Sequence, residues 1–441
     1  MTNAENAQTD AAVIAGIVIP WFTPADRPTE QRLEETRGLA EALECEVAFV
    51  AAQQIRRGSP SHLLPGGVLD RISDELEAAS ASLFIVDAML TPVQQRNLEA
   101  RLGVKVIDRT GLILEIFGLR ARTKTGRLQV ELARQLYERS RLVRTWTHLE
   151  RQRGGRGFLA GPGETQLEAD KRMLDTRIRR LRRDLEDVRR TRGLQRKSRL
   201  RSGTPVVALV GYTNAGKSTL FNALSGADVF AQDMPFATLD PTIRRVPLPG
   251  IGHIALVDTV GFVSDLPTHL IESFRATLEE AVEADLLVHV RDRSSPVDLA
   301  QKQDVEAVLD QLGKQSGRQL PPLIEVWNKC DLLDGVTLAR LHGAAEHADP
   351  PAVLASATGG RGLDALMEMI ATALNRSALI RTIILGLNDG EARAWLYENG
   401  DVIAETAGED SEQIALRVKL SDDRFGQFQQ KFPTLAAIDQ S

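Results

Sequence analysis

Two periodicities alternate along the chain. Short apolar runs at 13–20, 47–51, 83–86 and 104–107 are separated by stretches with helical spacing, such as 31–43 and 70–81. Continuous apolar runs suit strands buried on both faces, and strands separated by helices suit a parallel sheet. Residues 1–125 are therefore expected to form an N-terminal α/β domain. From residue 127 the pattern is helical. Leu167, Leu174, Ile178, Leu181, Leu185 and Val188 mark a heptad seam, which must be buried against a partner. The preceding stretch, with Leu128, Leu132, Leu136, Leu142 and Leu149, is the nearest one, so residues 126–203 are expected to form an antiparallel helical hairpin. Its tip, 153–163, is rich in glycine and carries Arg153, Arg156 and Phe158. Strand and helix patterns alternate again over 204–375, as in a doubly wound sheet. Runs at 379–385, 391–397, 402–405, 414–420 and 424–432 then predict a small α+β domain of βαββα order over 376–441. The whole reads as a multidomain α/β protein.

Composition narrows the class. With 441 residues, 43% hydrophobic and 26% charged, the chain is long enough for several cores and is neither disordered nor fibrous. Aromatics are only 5%, which argues against a broad stacking surface. Two cysteines, Cys45 and Cys330, provide no disulfide framework and fit a reducing compartment. The apolar stretch 11–22 is interrupted by Pro20 and is too short to span a bilayer. A soluble, cytoplasmic, monomeric protein without stable membrane insertion is the expectation.

The charge is unevenly spread. Residues 151–203 hold 17 Lys and Arg against 7 Asp and Glu, a local +10 in a chain whose net charge is −6, leaving −16 elsewhere. A basic block on an acidic protein suits a polyanion such as nucleic acid, and the preference for Arg suits bidentate phosphate contacts. A solvated helix surface would show the same composition.

The chemistry is concentrated at strand ends. Gly211-Tyr212-Thr213-Asn214-Ala215-Gly216-Lys217-Ser218 follows the apolar run 206–210 and opens a helix at Thr219. That is a complete phosphate-binding loop: backbone N–H groups cradle phosphates, Lys217 reaches the β and γ phosphates, and Ser218 offers a hydroxyl to Mg2+. Asp258-Thr259-Val260-Gly261 ends the next strongly apolar run, where a carboxylate can hold the metal through water and Gly261 N–H can meet the γ phosphate. Between them, Phe236-Ala237-Thr238-Leu239-Asp240-Pro241-Thr242 occupies the place of a first switch loop. Thr238 or Thr242 can close onto Mg2+, with Thr238 preferred. Asn328-Lys329-Cys330-Asp331 follows the run 323–327, and the Asp331 carboxylate can accept from both N1–H and the exocyclic amine of guanine, a pair that adenine lacks. Ser356-Ala357-Thr358 follows 352–355 and is expected to offer backbone donors to the guanine oxygen. Lys217, Thr238 and Gly261 are the catalytic candidates. Asn214 is a candidate ligand for a monovalent cation such as K+, or the residue of a simple Asx turn. Phe262 follows Gly261 where a Ras-like enzyme carries a water-orienting Gln, which predicts slow intrinsic hydrolysis.

These motifs, with 106–114, 128–133, Trp146-Thr147-His148-Leu149-Glu150-Arg151-Gln152 and Gly161-Pro162-Gly163-Glu164-Thr165-Gln166-Leu167-Glu168-Ala169-Asp170, resemble the HflX family of ribosome-associated GTPases, in the Obg-HflX group. The resemblance implies GTP and GDP as ligands, Mg2+ held by Ser218 and Thr238, and binding to the large ribosomal subunit. It also implies contact of the hairpin tip with ribosomal RNA and splitting of stalled or idle ribosomes under stress. The tip departs from the family pattern: Arg156 stands where an Ile is usual, and Phe158-Leu159-Ala160 lie near the family Thr-Arg. Phe158 there can stack on an unpaired base. Two other classes remain open on sequence: an RNA-binding assembly or storage factor with GTP as a structural ligand, and an RNA remodeller driven by ATP bound to the N-terminal domain, which offers no second phosphate loop.

Overall fold

The computed structural model describes residues 13–21, 28–56, 58–152, 162–201, 204–226, 234–249, 251–264, 267–317, 319–376, 378–386, 388–407, 413–433, 435 and 437–439. The first sheet is built from β1 (Val13–Trp21), β2 (Cys45–Gln54), β3 (Leu83–Val86) and β4 (Lys105–Asp108) in the order β2-β1-β3-β4, all parallel. Helices α1 (Thr29–Glu41), α2 (Gly66–Ala78), α3 (Pro92–Leu102) and α4 (Arg109–Arg120) cover it. Two of them lacked a sequence signature. In α3 the signal is local and polar: Thr91 and Gln94 form a reciprocal capping box ahead of Pro92. Helix α4 is buried almost all round, from Arg109 to Phe117, so it has no polar face to set a period.

The hairpin follows as α5 (Lys124–Gln152) and α6 (Pro162–Arg201). Leu132 and Leu136 pack on Ile178, Leu181 and Leu185, with Leu128 beside them, and Arg139–Asp175 and Arg177–Glu131 ion pairs, both 2.7 Å, run along the edges. The partner numbers fall on α6 as they rise on α5, the mark of an antiparallel pair. The tip residues Arg153, Arg156 and Phe158 lie outside the described residues.

The central sheet contains β5 (Val206–Val210), β6 (Thr242–Leu248), β7 (Gly252–Asp258), β8 (Leu286–Asp292), β9 (Leu323–Asn328) and β10 (Ala352–Leu354), in the order β10-β9-β8-β5-β7-β6. Only β6 runs antiparallel, against β7. Helix α7 (Lys217–Ser225) follows β5 directly. One face of this sheet shares a continuous apolar core with the N-terminal sheet, joined where Phe117 of α4 meets Phe236 edge-on at 4.6 Å and Phe274 at 4.5 Å. The last sheet is antiparallel: β11 (Ala378–Gly386), β12 (Asp401–Ala407), β13 (Gln413–Ser421) and β14 (Ala437–Asp439), in the order β12-β13-β11-β14, over a core holding Leu396 and Phe428. Strand β14 adds to the expected βαββα order; at three residues it is too short to show an alternation. Among the described residues, no helix is long and apolar enough to cross a membrane.

Candidate nucleotide site

Parallel strands deliver their C-terminal ends to one edge of the central sheet, and ligand sites of open α/β sheets form there. A cavity of about 450 Å³ opens at this edge. At one end it is lined by Thr213, Asn214, Gly216, Lys217, Ser218, Thr219, Thr238, Thr259 and Gly261, and at the other by Asn328, Lys329, Asp331, Ala357 and Thr358. Phe236 and Ala237 complete the wall, together with Met234 and Leu332, which sequence reading missed because apolar lining leaves no motif.

The loop after β5 is held from both sides. Gly216 adopts φ +92°, and a Cβ there would fall 2.2 Å from Asn328 Nδ2, so only glycine lets the two motifs meet. Lys217 is buried and donates to the Tyr212 carbonyl at 2.7 Å. Burial pulls its pKa down to about 8, against the pull of the nearby Asp258 carboxylate. Asn214 has φ +60°, a conformation Asn tolerates, so the turn alone is sufficient to explain it.

Ser218, Thr238 and Asp258 converge. The Ser218 and Thr238 hydroxyls both donate to Asp258 Oδ2, at 2.7 and 2.8 Å, and lie 2.7 Å from each other. Burial raises the Asp258 pKa, opposed by these hydrogen bonds and by Lys217, and its Oδ1 is buried without a hydrogen-bond partner. Two hydroxyls beside a carboxylate with an idle oxygen form the hard donor set that suits Mg2+. Thr242, the other switch candidate, sits in β6 opposite Asp258 in the ladder and does not line the cavity.

Gly261 approaches the phosphate loop closely: a Cβ would lie 2.9 Å from Thr213 Cα and 3.0 Å from Lys217 Nζ. The next residue locks the two loops together, with Thr213 N–H donating to Phe262 O (2.7 Å) and Phe262 N–H to Gly211 O (3.1 Å). The Phe262 ring is 1% exposed and belongs to the core shared with the N-terminal sheet. It offers no group that orients water.

At the base end, Asn328 ties three loops: its Nδ2 donates to Ala215 O at 2.8 Å, and Ala357 N–H donates to its Oδ1 at 3.1 Å. Lys329 pairs with Asp292 at 2.8 Å. Beneath them, Arg291 is buried in ion pairs with Asp298 and Glu325, and Trp327 Nε1 donates to Glu325.

Several of the expected residues have protein partners of their own. The amides of Ser356 and Ala357 donate to Arg361 O and to Asn328 Oδ1, and the Ser356 hydroxyl accepts from Gly359 N–H, so this segment is held as a turn at the cavity wall. Leu239 and Val260 point into the core, and Ala215 is buried behind the loop. Gly211 packs against the Val290 carbonyl. The Tyr212 hydroxyl turns away to Glu35, and the Asp240 carboxylate turns to Thr123. Apolar burial and partners from the N-terminal sheet decide these directions, and neither is visible in a local motif.

Comparison with known proteins identifies relatives of this chain. Residues 30–118 match the family described as GTP-binding GTPase N-terminal, 120–199 the GTP-binding GTPase middle region, and 206–329 the 50S ribosome-binding GTPase family. GTPase HflX of Magnetococcus marinus is 43% identical over 91% of this chain and 90% of its own length. GTPase HflX of Escherichia coli is 40% identical over 93% and 94%. A solved GTP-binding protein of Sulfolobus solfataricus in complex with GDP, 23% identical, covers 82% of this chain and 99% of its own with a TM-score of 0.44. Matched over more than nine-tenths of its length by HflX GTPases at 40 to 43% identity, the chain belongs to the HflX family of GTPases.

Proposed function

We propose that the protein uses GTP binding and hydrolysis to control its association with the large ribosomal subunit, and that it dissociates stalled or idle ribosomes under stress. The observation that carries the switch is the convergence of Ser218, Thr238 and Asp258 beside Gly261, because Thr238 and Gly261 belong to separate loops that a γ phosphate would bridge. The partner is supported by the 50S ribosome-binding GTPase match and by the Arg-rich helix α6, on which Arg172, Arg179 and Arg182 are exposed. Arg153, Arg156 and Phe158 at the tip are the proposed contacts to ribosomal RNA.

In this reading Lys217 holds its proton against burial and offsets charge on the β and γ phosphates. Ser218 and Thr238 hold Mg2+, with Asp258 acting through water, and the ion would neutralise phosphate charge. Gly261 presents its N–H to the γ phosphate. Asp331 selects guanine, Lys329 walls the base, and Asn328 fixes the loop that carries them. Phe262 stands where the water-orienting Gln would be, so intrinsic turnover is slow and the subunit, or a K+ ion at Asn214, supplies the acceleration. The protein works as a cytoplasmic monomer.

The test is GTP hydrolysis by the full chain with and without large subunits, in potassium and in sodium buffers, beside Lys217→Ala. Subunit stimulation lost in the variant supports the reading. Binding to the subunit with turnover that the subunit leaves unmoved favours the second reading, a ribosome-binding assembly or storage factor that keeps GTP as a structural ligand; the buried Phe262 ring is the observation behind it.

A further inference from the structure

Both switch loops are tied to the N-terminal half of the chain by polar contacts, largely buried at the loop after Gly261 and exposed at the loop carrying Thr238. On α1, Glu35 accepts from the Tyr212 hydroxyl at 2.5 Å and from the Ser264 hydroxyl at 2.6 Å. Ser264 N–H donates to the Tyr212 hydroxyl at 2.7 Å, so one carboxylate fixes the phosphate loop and the segment after Gly261 together. Arg109, opening α4, donates to Ser264 Oγ (2.7 Å) and Ser264 O (3.1 Å), and pairs with Glu35 (3.2 Å) and Asp87 (2.6 Å), which also pairs with Arg32. Arg109 and Ser264 are 7% and 4% exposed and Asp87 is fully buried. Charged groups are buried at this cost only when each finds partners. Burial pushes the Glu35 carboxyl up, but Arg109 and the donors from Ser264 and Tyr212 bring it below the usual carboxylate range, so it is ionised where it holds the loops.

The first switch has its own tether. Thr123 donates to the Asp240 carboxylate through its N–H, at 3.0 Å, and through its hydroxyl. The carboxylate thereby sits at the first turn of α5, close enough that a Cβ on Gly126 would lie 2.5 Å from it. Phe236, on the other side of Thr238, is pinned to Phe117 of α4. The loop is thus fastened on both flanks while Thr238 itself reaches Ser218 and Asp258.

We infer that Glu35 and Thr123 are positioning residues for the γ-phosphate end of the site: the N-terminal half holds both switches in the arrangement a triphosphate requires, and so sets the preference for GTP over GDP. This rests on the proposed roles of Thr238 and Gly261. Neither residue touches nucleotide. They act by keeping Thr238 and Gly261 in place before binding, so that ordering the loops costs less of the binding energy available from the extra phosphate.

The experiment measures affinities of the full chain for GDP and for a GTP analogue with an imido β–γ bridge, in Glu35→Gln, Thr123→Ala, Thr123→Ser and Thr238→Ala, with melting curves for each. Glu35→Gln and Thr123→Ala are expected to weaken the analogue about tenfold with GDP held within twofold, and Thr123→Ser, which keeps the hydroxyl, to restore it. Thr123→Ala keeps the test open if Glu35→Gln, which leaves Arg109 short of a partner, fails to fold. Loss of analogue preference in Thr238→Ala but not in the tether variants overturns the inference alone. Retention of preference in Thr238→Ala overturns the switch reading beneath it. Parallel shifts of both nucleotides, or a tighter analogue, also overturn the inference, because they assign the tethers to folding or to restraint.

Discussion

The two ends of the nucleotide cavity are built differently. At the base end every brace comes from the central sheet: Asn328 bonds to Ala215 and Ala357, Lys329 pairs with Asp292, and Arg291, Glu325, Asp298 and Trp327 form a buried frame under the loop. At the phosphate end the loops carrying Thr238 and Gly261 are fastened by Phe117, Thr123, Glu35 and Arg109, all from the N-terminal half. On the proposed reading, recognition of the base is self-contained, whereas the response to the third phosphate is shared with another part of the chain. A base contact serves GDP and GTP alike, whereas a contact made only to the third phosphate gains from loops held in place beforehand.

That contrast can be broken, starting from the base end. Asp331→Asn replaces an acceptor pair with one donor and one acceptor, and is expected to weaken GTP and GDP alike by about 10³-fold while improving xanthosine triphosphate, which presents a carbonyl in place of the amine; competition titration decides it. At the other end, Phe236→Ala removes a buried ring from the junction with α4 and should cost about 3 kcal/mol in urea denaturation. If stability holds, the junction is not packed as described. Asn328→Ala unties the base loop and leaves the Ala357 amide and Ala215 carbonyl unpaired, about 2 kcal/mol and equal for GDP and analogue. An unequal loss would mean that the base end also senses the γ phosphate.

Lys217 gives a pH signature. Its pKa in the free protein is about 8, below the ordinary lysine value, and phosphates favour the charged form and raise it. Nucleotide binding therefore takes up a proton above pH 8. Affinity is flat below that and falls by about tenfold at pH 9, which calorimetry in buffers of different ionisation enthalpy reads directly. Smallest of all, Glu272→Gln breaks the 2.6 Å pair that Arg182 of α6 makes with the central domain. Both partners are about half exposed, so the expected loss is under about 0.5 kcal/mol in the same urea assay. A larger loss would make that contact a structural joint between the hairpin and the switch region.

The amino-acid sequence by itself determined what is local. The phosphate loop, the Asp258 and Asn328 motifs, the strands at 83–86 and 206–210 and the seam of α6 depend on residue type and spacing within one element, and period and motif report those directly. Between Thr238 and Thr242 the sequence left a choice, and the fold separates them by placing Thr242 in β6 and the Thr238 hydroxyl on Asp258. Tertiary structure decided the rest. Whether Tyr212 and Asp240 face nucleotide or neighbour depends on Glu35 and Thr123, which lie 177 and 117 residues away in the chain. Helix α4 showed no period because partners on every side bury it, and Arg109 at its start reads as a surface cation until Asp87, Glu35 and Ser264 are brought around it. Spacing along a chain encodes what neighbours in sequence do together; a buried charge is permitted only by partners that folding gathers from elsewhere.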